Sequence, residues 1–274
     1  MRVGTLREQF AASSLGSSRR LLGPLVTVFW SFLLFAPCVT AEPLASQPAD
    51  LMPMVYACRQ AYASVKDFTA VIHRRERVKG EVQAEETIAM KFRTNPFSVY
   101  MRWVKEPHRT REVIFVENQN EGLIVAHEVV GFVNWFAKVS PTDPRAQKES
   151  HHSIAQAGIG KAVDSFISVC ETAKKAGDLR LFSLGQDIHD NRPTDVLIRI
   201  LPQKPMYPYH ILMMYIDKQF GLPVRFITLN WDYELETMFG YYDLKLNVGL
   251  TDEDFNYKSK EYGFMNPLGL RAMP

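Results

Sequence analysis

The sequence predicts a mainly β (α+β) protein: a large, curled antiparallel sheet or incomplete β-barrel with helices over its open side. Many short segments alternate apolar and polar residues with a period of two, which is typical of strands with one buried face. These segments follow one another through short turns, which favours antiparallel pairing. A sheet of about ten strands is too large to stay open and flat, so we expect it to curl.

The first 41 residues have the composition of a removable secretory signal. Arg19 and Arg20 precede an uncharged run over 21–35, and small residues lead up to Ala41. Because the run is too short for a comfortable membrane span, we predict export to the periplasm or beyond, with cleavage after Ala41. Lipidation at Cys38 and an uncleaved anchor remain alternatives, and the arginine pair leaves Sec and twin-arginine export both open.

Removal of the leader changes the charge of the protein. The whole chain carries a net charge of +2, and the leader holds four arginines against one glutamate, or +3. The mature chain is therefore at +2 − 3 = −1. This balance gives no basic field, so nucleic acid is not an expected partner.

The N-terminal half of the mature chain is expected to begin with a tether at 42–49 and a helix over about 50–65. In this helix apolar residues recur every three or four positions. Six strands should follow, in "DFTAVIHRRERV", "EETIAMKFR", "FSVYMRWV", "REVIFVE", "GLIVAHE" and "GFVNWFAKV". In the third of these, Phe97, Val99, Met101 and Trp103 share one face.

The second half is expected to start with a polar loop over 140–152 and a helix from 154 or 159 to 176. Gly177 is suited to end this helix. Strands then resume in "LRLFSLGQDI", "PTDVLIRILP", "YHILMMYID", "LPVRFITLNWD" and "ETMFGYYDLKLNVG". Without an internal repeat or a second linker, residues 50–274 are expected to form a single half-barrel domain.

Two cysteines, Cys58 and Cys170, remain in the mature chain. In an oxidising compartment they could form a disulfide bond, but both fall in predicted helices, where buried free thiols are equally compatible. Their spacing does not match a structural zinc site.

Several stretches resemble the family known as domain of unknown function 1571 (DUF1571). The most specific are Arg75-Glu76-Arg77 followed by Gly80, then "PFSVYMRW", Arg111-Glu112-Val113 and the C-terminal "YYDLKLNVGLTDEDFNYKSKEYGF". That family is similar in pattern to the outer-membrane lipoprotein carrier and receptor superfamily (LolA/LolB-like). The resemblance implies an incomplete barrel closed by helices, with a hollow that holds acyl chains.

A set of methionine and aromatic residues is predicted to line this hydrophobic cavity. The candidates are Met90, Phe92, Met101, Trp103, Phe115, Met213 and Phe226. Bulky rings and the deformable methionine side chain suit a ligand of variable shape. The alternative is that these side chains fill an ordinary core beneath the helices.

Arginines on the first strand are the candidates for a polar rim. Alternation places Arg74 on one face of the strand and Arg75 and Arg77 on the other, and which face lines the cavity is left open. A guanidinium at the rim could hold a head group or carboxylate by paired hydrogen bonds. The alternative for these arginines is a solvated edge or a cross-strand ion pair with Glu85 or Glu86, across the turn.

The sequence has no motif that favours catalysis or a cofactor. "GIGK" at 158–161 lacks the spacing and the hydroxyl residue of a phosphate loop, and His151-His152 lacks a third metal ligand. We therefore predict a non-catalytic, cofactor-free protein that binds lipid or an acylated protein. The alternatives are a periplasmic sensor or scaffold that binds an envelope protein and, last, an envelope hydrolase.

Overall fold

A computed structural model describes residues 50–105, 108, 110–131, 133–143 and 154–265. The predicted signal peptide, the tether and His151-His152 lie outside these residues. The helices are α1 (Met52–Tyr62) and α2 (Ile159–Lys175). The strands are β1 (Asp67–Val78), β2 (Glu81–Val82), β3 (Glu86–Arg93), β4 (Ser98–Trp103), β5 (Glu112–Val116), β6 (Ile124–Val130), β7 (Val133–Val139), β8 (Arg180–His189), β9 (Arg192–Ile200), β10 (Ile211–Asp217), β11 (Pro223–Leu229) and β12 (Leu235–Leu246).

All twelve strands belong to one antiparallel sheet. The order across it is β7-β6-β5-β4-β3-β1-β12-β11-β10-β9-β8, and the short β2 pairs with β1. The sheet does not close, because β7 and β8 lie at its two ends without pairing to each other. The predicted fold class, an incomplete antiparallel barrel with two helices, is confirmed.

The two helices cover one face of the sheet, which we call the inner face. Phe68 of β1 pairs with Phe92 of β3, and their rings stack with centroids 4.7 Å apart on this face. Gly158, just before α2, approaches so closely that a Cβ there would lie 2.5 Å from the Phe92 ring. The buried side chains of α1 and α2 join the same core: Met52, Val55, Cys58, Ile159, Val163, Phe166, Ile167 and Cys170.

The helices also pack against each other. A Cβ at Gly160 would lie 2.2 Å from the ring of Tyr62, so only glycine allows this contact. On the exposed side, Arg59 Nε is 2.9 Å from Asp164 Oδ1. We therefore treat α1 and α2 as one helical cover. As predicted, Gly177 with a φ of +72° follows α2, and its amide donates to the carbonyl of Lys174.

The C-terminal segment 250–264 lies on the opposite, outer face. Its 3-10 helix Asp252–Phe255 begins with a capping box formed by Thr251 and Asp254. Lys91 on β3 holds the segment, since its Nζ lies 2.9 Å from Asp254 Oδ1 and 3.1 Å from Tyr262 Oη. Burial opposes the charge on Lys91, but these bonds outweigh burial and raise its pKa above the ordinary value.

The two cysteines are free and buried. Burial raises the pKa of the Cys58 thiol to about 11. It also raises the pKa of Cys170, although the guanidinium of Arg199 acts in the opposite direction. Both thiols therefore stay protonated at neutral pH and belong to the core. Among the described residues, no helix has the length and hydropathy needed to cross a bilayer.

Candidate ligand-binding face

The inner face carries a partly exposed apolar surface over β4 to β7, which we call the apolar shelf. Successive cross-strand pairs join Met101 to Val113, Val113 to Ala126, and Ala126 to Ala137, so all four share the inner face. Each of them is only half buried. Trp135, on the same face of β7, is 49% exposed. The shelf thus extends the apolar inner face towards the β7 edge.

Six of the seven predicted cavity residues lie on the inner face. Met90 and Phe92 are buried in the core shared with the helices, and Trp103 and Phe115 are nearly buried beside the shelf. Met101 and Phe226 are half buried. The six candidates on the inner face are therefore Met90, Phe92, Met101, Trp103, Phe115 and Phe226.

Met213 lies on the outer face instead. It pairs with Ile198 and Ile227, whereas its neighbour Met214 pairs with Phe226. Because cross-strand partners point to the same face, Met213 and Phe226 point in opposite directions. The register therefore separates Met213 from the other six candidates.

The space between helices and sheet is closely packed. Val55, Ile159 and Phe68 have essentially no exposed surface. Two pockets among the described residues lie elsewhere, beside the C-terminal segment: one near Asp252 and the other near Lys91. A ligand on the inner face would therefore use the shelf directly, or reach further only when the helical cover moves.

The predicted rim arginines are divided between the two faces, as the alternation of β1 requires. Arg74 lies on the inner face, where its Nε donates to Glu86 Oε2 at 2.8 Å, and the indole Nε1 of Trp103 donates to Glu86 Oε1 at 2.8 Å. The ion-pair alternative for Arg74 is thus observed. Arg75 and Arg77 lie on the other face, and Arg77 Nε donates to the carbonyl of Leu235 at 3.0 Å.

A second group of charged residues borders the shelf. The sequence analysis did not predict that these residues lie together. Arg111 Nη2 lies 3.0 Å from Glu128 Oε2, and His108 Nδ1 lies 2.9 Å from Glu128 Oε1. The Arg111 guanidinium is also 5.4 Å from the centre of the Trp103 ring. The "REV" stretch pointed to Arg111, but the sequence did not define the register between β5 and β6 that brings Glu128 to it.

The arrangement provides apolar contact bordered by charged groups. Its carboxylates, Glu86 and Glu128, are both engaged by arginine. Among the residues that the structure describes, no three His, Cys, Asp or Glu side chains are grouped to hold a metal ion. Such a surface is suited to bind an apolar or amphiphilic molecule.

The curled sheet with its helical cover defines a β-rich half-barrel class of protein. Within this class, the family model described as "Protein of unknown function (DUF1571)" matches residues 65–264, so the chain belongs to this family. The family predicted from the sequence is confirmed. A comparison with curated proteins found no match.

Several solved structures are similar to this chain. An uncharacterized conserved protein from Thermus thermophilus is 9% identical, with 77% of this chain and 95% of that chain covered and a TM-score of 0.44. The MucA/MucB complex of Pseudomonas aeruginosa gives 15% identity, coverage of 76% and 60%, and a TM-score of 0.40. A LolA superfamily protein from Nitrosomonas europaea gives 9% identity, coverage of 74% and 96%, and a TM-score of 0.30.

Proposed function

We propose that this is an exported, non-catalytic binding protein that holds lipid, or the acyl chains of a lipoprotein, on its inner face in the periplasm. One observation carries the proposal. Trp135, Met101 and Val113 form a partly exposed apolar surface on the same face as the buried core. An exposed apolar patch marks a surface where a ligand or a partner can bind.

The free energy of acyl burial is sufficient for binding. Each buried methylene group contributes about 0.8 kcal/mol, so a chain of about twelve carbons offers roughly 10 kcal/mol. This offsets an association cost that begins at about 4 kcal/mol. The shelf supplies contact for part of such a chain, and the aromatic residues beneath the cover supply the rest.

The helical cover gives the ligand a way to enter the packed region. In this mechanism α1 and α2 move away from β3 together, because Tyr62 and Gly160 join them. Gly158 directly precedes α2 and has a φ of +103°, so it is suited to act as a hinge. If α2 moved away, Phe92 and Phe68 would be uncovered, and the apolar shelf would extend to include them.

The test compares two neighbouring residues of β7 that point to opposite faces. Trp135 is 49% exposed on the inner face and Phe136 is 44% exposed on the outer face. The full chain is expressed with its native leader, purified, and analysed by lipid extraction with mass spectrometry and by uptake of a fluorescent fatty acid. Trp135→Glu should lose about tenfold or more in affinity, since a charge would face the acyl chain, whereas Phe136→Glu should bind normally.

Two outcomes would refute the proposal. One is a wild-type protein that carries no lipid and takes up no fluorescent fatty acid. The other is equal loss of binding in the two variants, since that would place the ligand off the inner face.

A protein partner on the β7 edge is the second candidate function. Val130 and Val133 flank the β6–β7 turn and are 64% and 65% exposed, and Phe136 adds an apolar side chain on the outer face. An apolar strand at the end of a sheet can accept a strand from another protein. A single stoichiometric envelope protein that co-purifies with wild type and Trp135→Glu but not with Phe136→Glu would favour this candidate.

A further inference from the structure

A buried row rich in polar side chains crosses the inner face from β9 to β1, near the C-terminal ends of these two strands. Consecutive cross-strand pairs join Arg199 on β9 to Leu212, Leu212 to Thr228, Thr228 to Thr237, and Thr237 to Glu76 on β1. All five side chains are buried. At the other end of the same face the residues are apolar, among them Phe68, Phe92 and Leu222. The inner face is therefore amphipathic along its strands.

Arg199 is the most unusual member of this row. Its side chain is 1% exposed, and its Nε and Nη1 have no hydrogen-bond partner among the described residues. Its cross-strand neighbours on the same face are Leu181 and Leu212, which provide no carboxylate. A buried guanidinium normally pairs with an anion because removal of its charge from water is costly.

Helix α2 supplies only weak partners for this cation. The guanidinium lies over the ring of Phe166, 4.9 Å from its centre. It also interacts with the thiol of Cys170, a poor hydrogen-bond acceptor. Burial lowers the pKa of Arg199 from its ordinary value, although the side chain stays charged at neutral pH. Among the described residues, the closed cover thus provides no carboxylate partner for the Arg199 guanidinium.

We propose that Arg199 binds the oxyanion head of an amphiphile, a carboxylate or a phosphate, whose alkyl chain runs along the inner face towards its apolar end. This assignment depends on the proposed lipid-binding function and specifies the ligand class. The N–H donors on Nε and Nη1 of Arg199 are available to the oxygens of such a head group. Displacement of α2 opens the way to Arg199, and the incoming anion then compensates its charge.

The experiment compares three ligands with the same chain: palmitate, hexadecyl phosphate and hexadecanol. Acetate and inorganic phosphate serve as anions without a chain. The full-length wild-type protein should bind the two anionic amphiphiles at least about tenfold more tightly than hexadecanol, because charge-assisted hydrogen bonds are about twice as strong as neutral ones. The chain-free anions should not compete at equal concentration.

Arg199→Met is the informative variant. Methionine keeps an unbranched stem against Phe166 but removes the charge, so the anionic preference should disappear while the affinity for hexadecanol stays within about twofold. Because this substitution removes an unpaired buried charge, thermal unfolding should show a protein at least as stable as wild type. Arg199→Lys keeps the charge and should retain part of the preference, which provides a second comparison.

The outcomes separate this assignment from the lipid-binding function itself. Equal wild-type affinity for all three ligands, or an unchanged preference in Arg199→Met, overturns the role of Arg199 and leaves lipid binding intact. If inorganic phosphate competes effectively, the ligand of Arg199 is a free anion, and the assignment of an amphiphile is overturned. Failure of the wild type to bind any of the three ligands overturns both proposals.

Discussion

Arg74 on β1 and Trp103 on β4 are joined through the carboxylate of Glu86 on β3, the strand that lies between them. The guanidinium Nε and the indole Nε1 each donate at 2.8 Å, one to each carboxylate oxygen. The three side chains are largely buried on the inner face. This link connects the rim predicted from β1 to the apolar shelf on β4.

Glu86→Gln should weaken this link measurably. The amide keeps one acceptor but loses the negative charge that faces the largely buried guanidinium of Arg74. We expect a loss of about 1–3 kcal/mol in the free energy of unfolding, measured by urea denaturation. Glu85→Gln is the matched control, because Glu85 contacts His73 at the surface and should change stability by less than about 0.5 kcal/mol. Equal effects of the two substitutions would contradict the buried link.

Gly160→Ala should disturb the helical cover. A methyl group there would lie 2.2 Å from the Tyr62 ring, so the helices must separate. Overpacking costs about 1–3 kcal/mol, which exceeds the gain in helix propensity of about 1 kcal/mol. The double variant with Tyr62→Ala removes the clash, and a double-mutant cycle by thermal unfolding should therefore show coupling. Strict additivity would mean that this contact does not hold the helices.

Lys91→Met should release the C-terminal segment from the outer face. Its ammonium bonds Asp254 and Tyr262, and loss of a charge-assisted bond at a partly buried site costs about 1.5–3 kcal/mol. Hydrogen exchange of residues 250–264 should accelerate while that of β10 and β11 stays unchanged. Lys258→Met is the control, since Lys258 is exposed and its Nζ lies 5.8 Å from the centre of the Tyr257 ring. Uniform acceleration over the whole chain would argue against a local role.

His189 should contribute to the pH dependence of stability. Burial is the main cause that lowers the pKa of His189, and the positive charges of Arg225 and Arg192 lower it further. The hydrogen bond from Nε2 to the carbonyl of Tyr241 and the negative charge of Asp190 act in the opposite direction. A histidine with a depressed folded-state pKa stabilises the fold above its unfolded pKa of about 6.5, and this contribution is lost as the pH falls through the folded pKa.

The corresponding test follows the free energy of unfolding from pH 7 to pH 5. Wild type should lose stability over this range more steeply than His189→Gln, in which the glutamine amide can still donate to the Tyr241 carbonyl. Identical slopes for the two proteins would mean that His189 does not contribute.

Within single strands, the sequence was a reliable guide. The alternation in "DFTAVIHRRERV" placed Arg74 and Arg75 on opposite faces, and β1 has the bounds expected for it. Alternation is a local property that follows directly from the extended backbone, so it needs no knowledge of the rest of the fold.

Relations between strands were not predictable in the same way. Met213 was grouped with Phe226, but a period of two defines faces only within one strand, and the register between β10 and β11 decides how the strands match. The exposure of Trp135 depends on how far the helices reach across the sheet. Arg199 lies in the apolar run "DVLIRILP", where the sequence gives no sign that its charge is buried beside two leucines.

The pairing of β1 with β12 has a consequence for the order of folding. The first long strand lies in the middle of the sheet and needs the last strand as its neighbour, with Phe68 opposite Leu246. We expect the nascent chain to complete its central ladder only after residue 246 has been synthesised, because contacts so distant in sequence form late. Until then β1 has only β2 and β3 as strand partners, and the two halves of the sheet remain unjoined.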